Sequence, residues 1–140
     1  MVSLAKEHFG PRSAKRVAVM KVLNLDHVAL SVKDLDCSCR FYERVLGLEK
    51  IPRPDFNFPG AWYRLGELQE LHLLQRDNIE GIPRTSRDRH FALRVESVKD
   101  AAEHLDGLEI AYRGPKQRPD GVWQVFLRDP DQSVIELFSS

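Results

Sequence analysis

The stretch Asp26-His27-Val28-Ala29-Leu30-Ser31-Val32 returns, nearly copied, as Arg89-His90-Phe91-Ala92-Leu93-Arg94-Val95, 63 residues further on. A second landmark, Leu71-His72-Leu73-Leu74, is answered by Ile135-Glu136-Leu137-Phe138 at an offset of 64. Two separate landmarks at nearly one offset identify a duplicated unit, and each copy carries two residues of metal-ligating type at matching places. Smaller echoes accompany them: Gly47-Leu48-Glu49 answers Gly107-Leu108-Glu109, and Trp62 answers Trp123.

Around the first landmark, Leu25 to Lys33 alternates. Val28, Leu30 and Val32 share one face and His27, Ala29 and Ser31 the other, the period of a strand whose apolar face packs on a helix. Asp34 to Leu46 follows as that helix, with Asp34 as N-cap and Gly47 as stop. Leu48 to Ile51 reads as a short strand and the proline-rich stretch from Arg53 to Pro59 as a loop. Ala61 to Leu65 and Leu68 to Gln75 form a hairpin about Gly66-Glu67, His72 sharing its face with Leu74 while Leu71 and Leu73 face the other way.

Asp77 to Asp88 has linker composition, and beyond it the order repeats. Arg89 to Val95 is a strand and Val98 to Leu105 a helix capped by Ser97 and stopped by Gly107; Leu108 to Arg113, Val122 to Leu127 and Ser133 to Phe138 are strands. The expectation is therefore an α+β protein made of two tandem βαβββ modules, spanning about 24–78 and about 88–140 within a single domain of residues 21–140. One module leaves an open sheet edge and an uncovered face, so two should pair into a curved eight-stranded sheet around a metal cleft with the helices outside. Residues 1–20 precede the first patterned strand and read as a flexible leader.

Composition narrows the partners. The chain has 140 residues, 42% hydrophobic and 30% charged, as an ordinary globular domain does. Its 21 basic and 21 acidic residues cancel, which argues against phosphate backbones and anionic membrane surfaces as partners. No apolar run approaches the roughly 20 residues needed to span a bilayer, and the N-terminal residues lack a secretory-type hydrophobic core. Cys37 and Cys39 lie two apart on a helix and point to different sides, so they suit neither a disulfide nor a shared metal. They fit a reducing compartment, and the expected location is cytoplasmic.

By strand parity His27, His72, His90 and Glu136 each oppose the helix-packing face, so all four should project into one cleft. Rigid strands hold converging ligands better than loops do. Imidazole and carboxylate suit zinc, nickel, iron or manganese, and three neutral histidines with one carboxylate leave a divalent ion a net positive charge that polarises a carbonyl or acidifies a bound water. A lone histidine is more often a satisfied structural residue, and His8 and His104 are read that way. Three histidines at repeated positions, with a carboxylate set among Ile135 and Leu137 where an unpaired charge is costly, favour a metal instead.

These residues resemble the vicinal oxygen chelate superfamily, the group of glyoxalases, bleomycin- and fosfomycin-resistance proteins and extradiol dioxygenases, over Leu25 to Ser139. The resemblance rests on residues 26–32, Phe41-Tyr42 with Val45-Leu46-Gly47, His72 in Glu70-Leu71-His72-Leu73-Leu74, His90-Phe91-Ala92-Leu93, and Asp129-Pro130-Asp131 before Ile135-Glu136-Leu137. It implies paired βαβββ modules around a divalent ion that chelates two neighbouring oxygens of a small-molecule substrate. For a glyoxalase I-like lyase or isomerase it further implies that Glu136 is both a ligand and the proton shuttle for an enediolate, and that the protein is a homodimer. Departures stand beside the matches: bacterial glyoxalase I has a carboxylate at the place of His72, the residues that help hold glutathione there fall at Ser31 and Arg76, and the usual glycine after Asp-Pro-Asp is Gln132. An iron(II) ring-cleaving dioxygenase using His27, His90 and Glu136, and a sequestering protein of the bleomycin-resistance type, are the competing readings.

Beyond the ligands, Arg53, Phe56, Phe58, Trp62 and Trp123 are candidate pocket residues, the aromatics giving apolar walls and the arginine an anion contact. The alternative for the two tryptophans is a core role duplicated with the module.

Overall fold

A computed structural model describes residues 21–81 and 88–140. The leader 1–20 and residues 82–87 of the linker lie outside the described residues.

The first module runs β1 (His27–Val32), α1 (Leu35–Arg44), β2 (Lys50–Ile51), β3 (Gly60–Leu65) and β4 (Gln69–Gln75). The second runs β5 (His90–Arg94), α2 (Val98–Gly107), β6 (Tyr112–Gln117), β7 (Trp123–Arg128) and β8 (Val134–Ser139). Each is a four-stranded mixed sheet, ordered β1-β4-β3-β2 and β5-β8-β7-β6. The first strand of each lies parallel to the last and the rest pair antiparallel. The protein is thus α+β with two βαβββ repeats. Its eight strands are hydrogen-bonded as two separate sheets, and β1 and β5 are each an edge strand.

Local chemistry explains the elements. Val28, Leu30 and Val32 of β1 enter the hydrophobic core, as Leu71 and Leu73 of β4 do. The Asp34 carboxylate accepts the Cys37 N–H at 3.1 Å and the Ser97 hydroxyl accepts that of Asp100 at 3.1 Å, so both helices start on a side-chain cap. Gly47, at φ 65°, turns the chain out of α1.

The second copy departs from the first where its helix ends. Gly107 remains within α2, and Glu109 takes the left-handed conformation, φ 57°, while its N–H bonds to the Asp106 carbonyl and that of Ile110 to the Leu105 carbonyl. Leu108 to Ile110 are spent on this turn. The strand expected from Leu108 to Arg113 therefore begins at Tyr112 and continues to Gln117, with a register shift between Arg113 and Lys116.

The modules meet along α1 and the residue pair before it. The buried Tyr42 hydroxyl donates to Asp129 Oδ2 at 2.7 Å. Asp129 Oδ1 accepts the N–H groups of Asp131 and Ser133, and Asp131 accepts the Lys33 N–H at 3.3 Å. The Asp-Pro-Asp turn of one module thus seats the helix of the other.

Candidate metal centre

Register places the two halves of the repeat in equivalent rungs. Ala29, His72 and Trp62 lie side by side across β1, β4 and β3, and Ala92, Glu136 and Phe126 lie side by side across β5, β8 and β7. All project from the face opposite the helices. The residue equivalent to Trp62 is therefore Phe126. Trp123 has the parity of Val125 and Leu127, the core-facing set, and sits at the strand start, 40% exposed.

In the first module the His72 ring is stacked between two others. Trp62 lies 3.8 Å away, interplanar angle 4°, and His27 lies 4.2 Å away at 17°. Each imidazole is paired with a carboxylate: His27 Nδ1 with Asp26 at 2.7 Å and His72 Nε2 with Glu70 at 2.9 Å. These contacts leave His27 Nε2 and His72 Nδ1 as the nitrogens for a ligand or proton. A carboxylate on the second nitrogen is the usual companion of a metal-ligating histidine, because it fixes the tautomer and raises basicity.

In the second module His90 Nε2 and Glu136 Oε1 are 3.5 Å apart. Glu136 is buried, and its Oε1 accepts the Gln124 side-chain N–H at 2.8 Å. The Phe126 ring meets His90 edge-on, centroids 5.7 Å apart. This pair offers nitrogen and oxygen donors at one point, with the carboxylate held from behind. The donor set of the two halves, three imidazoles and a carboxylate, fits a first-row divalent ion.

Within one chain the histidine pair and the histidine–glutamate pair do not gather into one cluster. Among the described residues no three histidine, cysteine, aspartate or glutamate side chains converge in a way that would hold an ion. A largely apolar cleft of about 920 Å³ opens between the modules along β5, and His27, Glu70 and His90 border it.

The loop candidates form a cluster against Trp62. Phe56 stands 6.2 Å from Trp62 and 5.5 Å from Phe58. The Arg53 guanidinium lies 4.9 Å from the Phe56 ring and 4.8 Å from Phe58, and donates to the Phe58 carbonyl at 2.8 Å. Sequence reasoning passed over three polar neighbours of the site. Glu70 was legible, being two residues before His72 on one strand. Asp26 and Gln124 were not, since Asp26 depends on a rotamer and Gln124 reaches Glu136 diagonally across a register that only the paired strands define.

Comparison with known proteins agrees with the architecture. Residues 24–137 match the model of the Glyoxalase/Bleomycin resistance protein/Dioxygenase superfamily. The chain is 31% identical over 125 residues to Glyoxylase I 4 of Arabidopsis thaliana, covering 84% of this chain and 71% of that one. It is 26% identical over 126 residues to a protein named lactoylglutathione lyase in Salmonella typhimurium, covering 84% and 93%. The crystal structure of lactoylglutathione lyase from Agrobacterium tumefaciens superposes with a TM-score of 0.65 at 25% identity, covering 82% of this chain and 92% of that one. By its repeated modules and by the match over nearly all of both of them, the chain belongs to the glyoxalase, bleomycin-resistance and dioxygenase superfamily.

Proposed function

We propose that the protein is a metal-dependent lyase or isomerase of glyoxalase I type, acting on a small α-oxygenated substrate. The observation that carries this reading is the buried Glu136 carboxylate, held by Gln124 at 2.8 Å and facing His90 at 3.5 Å. Burying a carboxylate requires such partners, and Gln124 and His90 together hold this one in a fixed orientation, as proton transfer to and from a bound substrate needs. His27, His72, His90 and Glu136 are the residues that would hold zinc, nickel, iron or manganese. When bound, the ion supplies the charge that holds two neighbouring substrate oxygens and lowers the cost of negative charge building on them. Glu136 takes a proton from the carbon beside those oxygens and returns it to the adjacent carbon, so that no electrons leave the substrate. The relatives named as glyoxylase and lactoylglutathione lyase support the same class.

A homodimer is part of this proposal. Its support is that the two donor pairs stay apart in one chain, while β1 and β5, which carry His27 and His90, are edge strands. A second copy then brings its own β5 half-site to the first copy's β1 half-site. The unpaired Cys37 and Cys39 accord with a reducing, cytoplasmic setting, and among the described residues no helix is long and apolar enough to cross a membrane.

The test uses hemithioacetals of phenylglyoxal with a panel of thiols, glutathione and mercaptoacetate included, followed by proton NMR in D2O. Exchange at the substrate carbon is expected with the metal-loaded protein. It should vanish on chelation, and also in Glu136→Gln while elemental analysis still finds one divalent ion for each chain. Exchange that survives in both preparations overturns the assignment.

A further inference from the structure

The face that carries His27, His72 and Trp62 also carries positive charge that the donor set does not use. Gly60 begins β3, two residues before Trp62, so a Cβ there would point to the same face. Such a Cβ would meet the Leu73 carbonyl oxygen at 2.5 Å, and Arg53 Nη2 and Nε at 2.9 and 3.0 Å. The close backbone of β4 requires the glycine, and the same bare position lets the Arg53 guanidinium lie over the strand. Arg76, just past the end of β4, puts its guanidinium 4.6 Å from the same Phe58 ring that Arg53 approaches at 4.8 Å. Both guanidiniums lie against this one ring and each donates to a main-chain carbonyl, Arg53 to Phe58 and Arg76 to Gln75, while among the described residues neither is in an ion pair. Asp55, in the same loop, joins neither. Two cations against one ring without a carboxylate partner favour an anion beside them, and aromatic walls strengthen that pairing by removing water. A guanidinium presents paired N–H donors that match a carboxylate or phosphoryl group.

We propose that Arg53 and Arg76 bind an oxyanion group of the substrate, whose planar apolar body lies along Phe56 and Trp62 toward His72. The rings set the route: Trp62 touches His72, Phe56 adjoins Trp62, and Arg53 adjoins Phe56. The substrate class is therefore a planar compound with a carboxylate or phosphoryl group at the end remote from its α-oxygenated carbon. The assignment of substrate rests on the reading of this face as the active face, whereas the oxyanion site itself is read without turnover.

Calorimetric titration of the full chain, both metal-loaded and metal-stripped, with benzoylformate, its methyl ester and phenyl phosphate tests it. The two anions are expected to bind in both preparations, with the ester at least about tenfold weaker, a difference of one charge-assisted hydrogen bond or more. Arg53→Met and Arg76→Met should each weaken the anions by a similar factor and leave the ester unchanged. Arg76 is a surface residue, so the second variant remains informative if the first fails to fold. In a Trp123→Phe background, where Trp62 is the single tryptophan, benzoylformate should quench the emission. The ranking of benzoylformate against phenyl phosphate tells carboxylate from phosphoryl recognition. Equal binding of acid and ester, no binding of either anion, or indifference to both arginine substitutions overturns the proposal. Anion binding that persists in a protein without Glu136-dependent exchange refutes the lyase reading and leaves the oxyanion site standing.

Discussion

Tyr42 and Asp129, both buried, form the shortest of the hydrogen bonds between the modules, 2.7 Å. Tyr42→Phe removes the donor and leaves Asp129 Oδ2 without its partner, which costs about 1–3 kcal/mol; urea unfolding followed by circular dichroism should read that loss. Burial holds the Asp129 carboxyl above its ordinary value even though the Tyr42 hydroxyl pulls it down. Burial, then the Asp129 charge, holds the Tyr42 hydroxyl well above its own. A raised folded value means that the neutral form is favoured in the fold. For Asp129 the contribution is complete below the unfolded value near 3.8 and is lost as pH rises through the folded value. Stability measured from pH 3 to 6 should thus contain a downward component from this residue, and Asp129→Asn should remove it while keeping the backbone N–H bonds to Oδ1. An unchanged slope in that variant would refute the assignment. At this scale the sequence showed which residues repeat and concealed what each one touches. Glu136 stood out because a carboxylate between Ile135 and Leu137 needs a reason, whereas Tyr42 looked like any core aromatic.

The elements that alternate or carry caps were readable, and the two departures have separate causes, one in the backbone and one in the offset of the repeat. Strands β1 and β4 follow hydrophobic parity, and α1 and α2 start at Asp34 and Ser97 as their chemistry dictates. Strand β6 begins late because Glu109 enters the left-handed region, and nothing in a glutamate announces that. Trp123 was matched to Trp62 by residue type, whereas the offset of 64 that joins His72 to Glu136 joins Trp62 to Phe126. The turn before β8 repeats the lesson with Gln132, at φ 70°. Its N–H bonds to the Asp129 carbonyl at 2.9 Å, so the turn holds although an L side chain disfavours that conformation. Gln132→Gly should relieve this strain and raise the unfolding free energy by about 1 kcal/mol, seen as a higher urea midpoint with an unaltered slope. A lower midpoint would show that the glutamine contributes more through its side chain than it costs through its backbone.

For the whole molecule, the arrangement of donors makes assembly and activity one question. One chain holds a His27–His72 pair on the first sheet and a His90–Glu136 pair on the second, each sheet ending at the strand that carries its leading histidine. If a working site joins the first half of one copy to the second half of another, two dead variants can rescue each other. His27→Ala destroys the first half and Glu136→Gln the second. In a mixed dimer both defects fall into one site, and the other site receives intact halves from both chains. Random reassortment makes half the dimers mixed and leaves one of their two sites whole, so the mixture should recover about a quarter of the wild-type activity. Sites closed within a single chain give no recovery, because every chain then carries a lesion. The experiment mixes the variants in mild urea, removes the denaturant and assays exchange, with each variant carried through alone as the baseline. Recovery with a light-scattering mass near twice 16.1 kDa supports shared sites. A mass near that of one chain, or a mixture no more active than its components, shows that the halves meet within one chain, and then only by moving one module against the other at the contact between Tyr42 and Asp129.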